Sequence, residues 1–236
     1  KGSGEGWAFL ANGLSYLFVI AGLFFVKTPF SAPIEKKEHD LVAEFKEGQR
    51  YILQTPLVGL IILMVSIIGF IGFPLLQQIP VIARDVLAVA GDTEASQAAR
   101  NSMLYTAQGV GALVAALFLA SFNPRHKGRV LTLGQSTFII GLIIMGLTRN
   151  LPIMLVLIMF SGWGMVTMLA TMNTLIQLEV PDQLRGRVFS TYLWGLQGVA
   201  PFGSLVIGWM AQTLSVPTTA LISGLVCLAA IGGLHL

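Results

Sequence analysis

Residues Val188–Leu234 read VFSTYLWGLQGVAPFGSLVIGWMAQTLSVPTTALISGLVCLAAIGGL, without one charged side chain. A helix needs about 20 apolar residues to cross the hydrocarbon of a bilayer. The stretch is therefore too long for one crossing, and the Ser215-Val216-Pro217 turn signal divides it into spans of Val188–Leu214 and Val216–Leu236. The same criterion, carried back along the chain, marks Trp7–Val26, Leu57–Ala83, Asn101–Phe122, Val130–Thr148 and Leu151–Leu178. Pro152 stands in the first turn of its span, where a missing N–H costs nothing. The reading is an all-α membrane protein with seven crossings.

Composition agrees. Of 236 residues, 55% are hydrophobic and only 11% charged, against about 25% in soluble domains, so the apolar surface exceeds what a core of this size could hide. A disulfide-stapled secreted module is excluded, because Cys227 is the single cysteine. A net charge of +3 raises the question of nucleic acid, but the basic residues lie between apolar runs rather than on one face, and no nucleic-acid partner is expected. Membrane lipid is the expected surrounding.

The basic residues also orient the chain. Lys27, Lys36, Lys37, Lys46, Arg50, Arg125, Lys127, Arg129, Arg185 and Arg187 fall on one side, and Lys1, Arg84, Arg100 and Arg149 on the other, which accounts for all 14. The positive-inside bias makes the richer side cytoplasmic, with the amino end outside and the carboxyl end inside a plasma (inner) membrane. The amino end has no initiating methionine and no basic n-region, and Trp7–Val26 is too long for a signal-peptide core. An upstream portion is therefore expected. The connection Lys27–Pro56 is the one long loop, with Leu41, Phe45 and Ile52 spaced for an amphipathic interfacial helix. It divides the chain into residues 1–26, one helix; 27–56, a cytoplasmic loop; and 57–236, six helices. The last fall into two sets of three, 57–148 and 151–236, as inverted repeats would.

Chemistry at membrane depth is sparse. His39, His126 and His235 all lie in loops or at the end, so a serine–histidine pair or a metal cluster lacks its parts, and the chain does not read as an enzyme. No metal and no cofactor is expected. Gly2, Gly4 and Gly6 follow no strand and precede no Lys-Ser/Thr, so they do not form a phosphate cradle. Small residues recur as Ala107, Gly111 and Ala115, beside Ala112, Ala116 and Ala120, and again as Ala200, Ser204 and Gly208. Such rows let helix backbones approach closely in lipid. Pro74 and Pro201 interrupt their helices and are hinge candidates. Gln77, Gln78, Gln108, Asn173, Gln177 and Gln197 place neutral amides inside spans, where they either tie helices together or line a polar path. Asp182, Arg185 and Arg187 read as a short charged turn able to latch onto neighbouring helix ends.

The run Asn173-Thr-Leu-Ile-Gln177-Leu-Glu-Val-Pro181-Asp182-Gln-Leu-Arg185-Gly186-Arg187-Val188-Phe-Ser190, followed by Gly203-Ser204, resembles the link between the tenth and eleventh helices of major facilitator superfamily exporters. The likeness is to the branch of bacterial drug/proton antiporters and enterobactin-exporter-like permeases. Phe9-Leu-Ala-Asn12-Gly-Leu-Ser15-Tyr resembles that family's sixth helix, and Glu44-Phe45-Lys-Glu-Gly48-Gln-Arg50-Tyr51 the end of its central loop. The resemblance implies the sixth to twelfth helices of a twelve-helix fold: the C-terminal six-helix bundle plus the helix before it. Ser121-Phe-Asn123-Pro-Arg125-His-Lys127-Gly128-Arg129 stands where the family places a copy of its Gly-x-x-x-Asp-x-x-Gly-Arg-Arg-like turn, but has no acidic member. Topology signalling and contact with anionic lipid remain for it.

The resemblance implies a secondary transporter, a proton-driven exporter of hydrophobic or amphiphilic small molecules working by alternating access. Gln108, Asn173, Gln177 and Gln197, with the aromatic Trp163 and Tyr192, are then the substrate-cavity candidates, and Asp182, Arg185 and Arg187 the cytoplasmic gate. The partner is the N-terminal half of the same protein, which also supplies the titratable carboxylate. The alternatives are a seven-helix receptor, which the helix count and topology allow but the 30-residue loop (27–56) fits poorly, and a non-transporting membrane scaffold.

Overall fold

Charged residues mark where a helix leaves the lipid, not where the helix ends. The computed structural model, which describes residues 3–25, 41–122 and 126–233, contains helices and no strand among them. In order these are α1 (Ser3–Phe25), α2 (Leu41–Gln54), α3 (Pro56–Val86), α4 (Glu94–Phe122), α5 (Lys127–Met145), α6 (Leu151–Glu179), α7 (Asp182–Leu193), α8 (Ala200–Leu214) and α9 (Val216–Gly233). Lys27, Lys36, Lys37, His39, Arg125 and His235 lie outside the described residues.

Helices α3, α4, α5, α6 and α9 are each long and apolar enough to cross a bilayer unaided. The sixth expected span is not one helix. α7 runs through a π-helical turn (Trp194–Gly198), bends at Val199, and resumes as α8. The first expected span is α1, whose apolar part is Phe9–Phe25. The chain falls into two units, one carrying α1 and the other beginning at Leu41, so α2 packs as part of the bundle.

Several helices run beyond the expected spans into charged residues: α5 begins at Lys127 rather than Val130, and α3 ends at Val86 rather than Ala83. α4 begins at Glu94 rather than Asn101, because Arg100 turns inward and is only 8% exposed, held by Asp92 and the Ala83 carbonyl. Asp182, Arg185 and Arg187 are the opening turns of α7, not a loose turn. Pro152 stands in the first turn of its helix as expected, and the structure adds a cap before it. α6 starts with Asn150 Oδ1 accepting from Ile153 N–H at 3.2 Å, with Pro152 in the first turn.

Packing within the bundle depends on missing side chains. A Cβ on Gly111 of α4 would overlap the Met159 carbonyl oxygen of α6, and one on Gly162 of α6 would overlap the Gln108 carbonyl oxygen of α4. Close approach of this kind is how helices associate where lipid is as apolar as leucine. Gly111 and Ala115 are buried as the first row predicts, while Ala116 and Ala120 are exposed. The row Ala200, Ser204, Gly208 is corrected: Gly208 has open space beside it, and the tight positions are Gly195 and Gly203. A periodic row identifies a small-residue face without showing which of its members meets a neighbour.

Candidate functional site

Two helices break side by side. In α3 a π-helical turn (Ile68–Gly72) precedes Pro74, and Gln77-Gln78 form a turn before the helix resumes. In the other, the π-helical turn Trp194–Gly198 precedes the Val199 bend and Pro201. In α3 the backbone stays helical through Pro74 and the turn comes at Gln77-Gln78, whereas in the other helix the bend at Val199 directly precedes Pro201. The breaks face each other. A Cβ on Gly69 would stand 2.5 Å from both the Gly195 and Leu196 carbonyl oxygens, and one on Gly203 would overlap the Phe70 carbonyl oxygen. Pro74 has no N–H to offer that Phe70 carbonyl four residues back. Discontinuous helices of this kind, with irregular backbone inside protein, are how membrane carriers build binding sites.

A cavity of about 390 Å³ opens beside the paired breaks, lined by Phe73, Gln77, Leu169, Gln197, Pro201 and Ser204 among others. Its polar groups are neutral: two amides and a hydroxyl against an apolar wall. Asn173 follows Leu169 by four residues on α6 and Gln177 follows Asn173 by four, so all three share one helix face. Gln177 Nε2 donates to Asn173 Oδ1, and the Gln177 carbonyl accepts from Arg185 at 3.0 Å. A strip of amides thus leads from the cavity to the charged start of α7.

The remaining cavity candidates lie elsewhere. Gln108 is half-buried in the α4–α6 contact opposite Gly162, about 10 Å along the α6 axis from Leu169. Trp163 belongs to the same contact and stacks on Phe118 at 6.3 Å. Tyr192 is 3% exposed, packed on Phe189 at 5.4 Å with its hydroxyl 3.5 Å from the Leu169 carbonyl, so it supports the wall from behind. The structure therefore joins Gln197 to Gln77 and Ser204, keeps Asn173 with Gln177, and separates Gln108 and Trp163 from both.

At the charged end α2 supplies what the sequence reading did not see. Arg187 pairs with Glu47 and, at 3.4 Å, with Glu44 of α2. Gln49 Nε2 donates to Thr191 Oγ1 at 2.8 Å, and the Tyr51 hydroxyl donates to the Glu179 carbonyl at 3.1 Å. Gly48 lets the two helices meet, since a Cβ there would be 3.0 Å from the Arg187 Cβ. Arg185 pairs instead with Asp182, at 2.7 Å. The signal was present as the amphipathic spacing of α2, but the pairing joins residues about 140 apart in sequence.

At the opposite end of the bundle Asp92 organises the α3–α4 connection. Its carboxylate accepts from Arg100 Nη1 at 2.8 Å, from Val89 N–H at 2.9 Å and from the Ser96 hydroxyl at 3.0 Å. Arg100 first, and these other donors with it, hold the carboxyl well below the usual carboxylate range.

The described residues form a helical membrane bundle with a neutral cavity beside two irregular helices. The family model described as transmembrane secretion effector, of the major facilitator class, matches residues 2–235, and the chain belongs to that family of transporters. No curated protein and no solved structure matches the chain.

Proposed function

We propose that this chain is the cargo-binding C-terminal half, with the last helix of the N-terminal half, of a proton-driven exporter of hydrophobic or amphiphilic small molecules in the plasma (inner) membrane. The observation that carries the reading is the cavity of about 390 Å³ at the paired breaks of α3 and α8, lined by amides and apolar groups and no charge. Such a lining suits cargo without a strong net charge, because an unpaired ion there would lose its hydration uncompensated.

Gln77 and Gln197 hold polar atoms of the cargo, Phe73 and Leu169 its apolar body, and Ser204 the end nearest Pro201. The breaks absorb the backbone change as an N-terminal half rocks against this one. Asn173 and Gln177 lead toward the cytoplasmic gate, where Arg187 holds α2 through Glu44 and Glu47 while Arg185 ties Asp182 to the end of α6. The carboxylate that couples proton movement belongs to the N-terminal half. Residues 57–148 and 151–236 act as the inverted repeats of this half.

The test is transport by the full-length protein in proteoliposomes with a lipophilic dye under an imposed pH gradient. Dye movement that a protonophore abolishes, and whose apparent KM rises about tenfold in Gln197→Leu, is the expected result. Dye flux equal to that of protein-free vesicles rejects the reading.

A further inference from the structure

A second and larger cavity, about 600 Å³, lies at the opposite end of the bundle from α2, between the ends of α3, α8 and α9. Its polar lining is Gln78, Arg84, Asp85, Arg149, Gln212 and Ser215, interleaved with valine, alanine and proline side chains. Arg84 and Asp85 neutralise each other through two hydrogen bonds, at 2.7 and 2.9 Å. Arg149, which is exposed, forms an ion pair with no described residue, so the cavity carries one guanidinium without a carboxylate partner among them, and the amides of Gln78 and Gln212 line the same cavity. Leu205 and Trp209 precede Gly208 and Gln212 of the cavity wall by three residues on α8 and are 73% and 65% exposed, so an apolar track runs from this cavity toward the middle of the helix.

We propose that this cavity binds the anionic headgroup of a bilayer amphiphile, its phosphate or carboxylate on Arg149 and its hydrocarbon chain along Leu205 and Trp209. A guanidinium offers paired donors to a phosphate, and charge-assisted bonds of this sort are about twice as strong as neutral ones. The size falls within the range of small-molecule sites. The site is distinct from the one at the paired breaks, and it does not depend on the transport reading.

The experiment is a thermal-unfolding titration of the purified full-length protein in a neutral maltoside detergent. Its arms are phosphatidylglycerol, phosphatidylcholine and inorganic phosphate. Phosphatidylglycerol raises the transition. Its apparent affinity falls about tenfold in Arg149→Gln and by a smaller factor in Arg149→Lys, which keeps the charge but loses the paired donors. Inorganic phosphate at equal concentration gives no comparable shift. Should Arg149→Gln fail to fold, Gln212→Leu provides the same comparison, with phosphatidylglycerol binding weakened there too. Unchanged phosphatidylglycerol binding in the folded variant overturns the proposal. So does an equal response to phosphatidylcholine, or to inorganic phosphate, which would mean a site for a zwitterion or a free ion.

Discussion

Gly203 and Asp92 illustrate how single residues hold this bundle together by different physics. Gly203 contributes by having no side chain, since the space a methyl group would fill is occupied by the Phe70 carbonyl. Gly203→Ala must therefore push α8 from α3, and overpacking of this kind costs about 1–3 kcal/mol. A lower unfolding midpoint in detergent is expected, with Gly208→Ala, which meets open space, as the neutral comparison. Asp92 contributes charge. Its carboxyl titrates lower in the folded protein than in an unfolded chain, where an aspartate lies near 3.9. The native state thus favours the ionised form, and the stabilisation is full above the unfolded value and fades as pH falls through it toward the native one. Asp92→Asn should unfold at lower temperature than the parent at pH 7, and the difference should narrow below about pH 4. Melting curves from pH 7 to pH 3 check both signs. The sequence shows that Gly203 and Asp92 are present, but not that one meets a carbonyl and the other an arginine eight residues on.

Among the elements, α2 changes the account of the charged turn most. Arg185 and Arg187 are two residues apart and look equivalent in the sequence, yet one is bound to its own helix and to the end of α6, the other to α2. Arg187 is 28% exposed at its side chain, which discounts the ion pair toward the surface value, so its removal should loosen α2 by roughly 1 kcal/mol. Hydrogen exchange measures this directly: Arg187→Ala should speed exchange of the 41–54 amides about fivefold while leaving α5 unchanged. Equal exchange in parent and variant would show that α2 is held without the Arg187 ion pairs. The helices themselves were legible, because hydropathy records lipid contact and Pro152 records a start; the Asn150 cap appears only in the structure. The π-helical turns were not. Shifting a hydrogen bond from four residues to five leaves every side chain as apolar as before, so Ile68–Gly72 and Trp194–Gly198 carry no compositional mark. Pro74 and Pro201 did point to both breaks, although nothing local says that the breaks meet.

At the scale of the whole molecule, an all-helical membrane protein and its family could be read from one sequence; five of the expected spans are single helices long enough to cross, and the sixth is broken. The site could be read only in part. The cost of an amide in lipid marked Gln77, Gln108 and Gln197 alike, and only the placement of α3 beside α8 brings Gln77, Gln197 and Ser204 to one cavity and leaves Gln108 out. The central claim is that the space at their paired breaks opens alternately to the two sides of the membrane. The most direct measurement is labelling of a Gln197→Cys thiol by a membrane-impermeant maleimide, in full-length protein otherwise free of reactive cysteines. Reversing the pH gradient across the vesicle should reverse the side from which the thiol is labelled. Labelling from one side alone under both gradients would contradict the account.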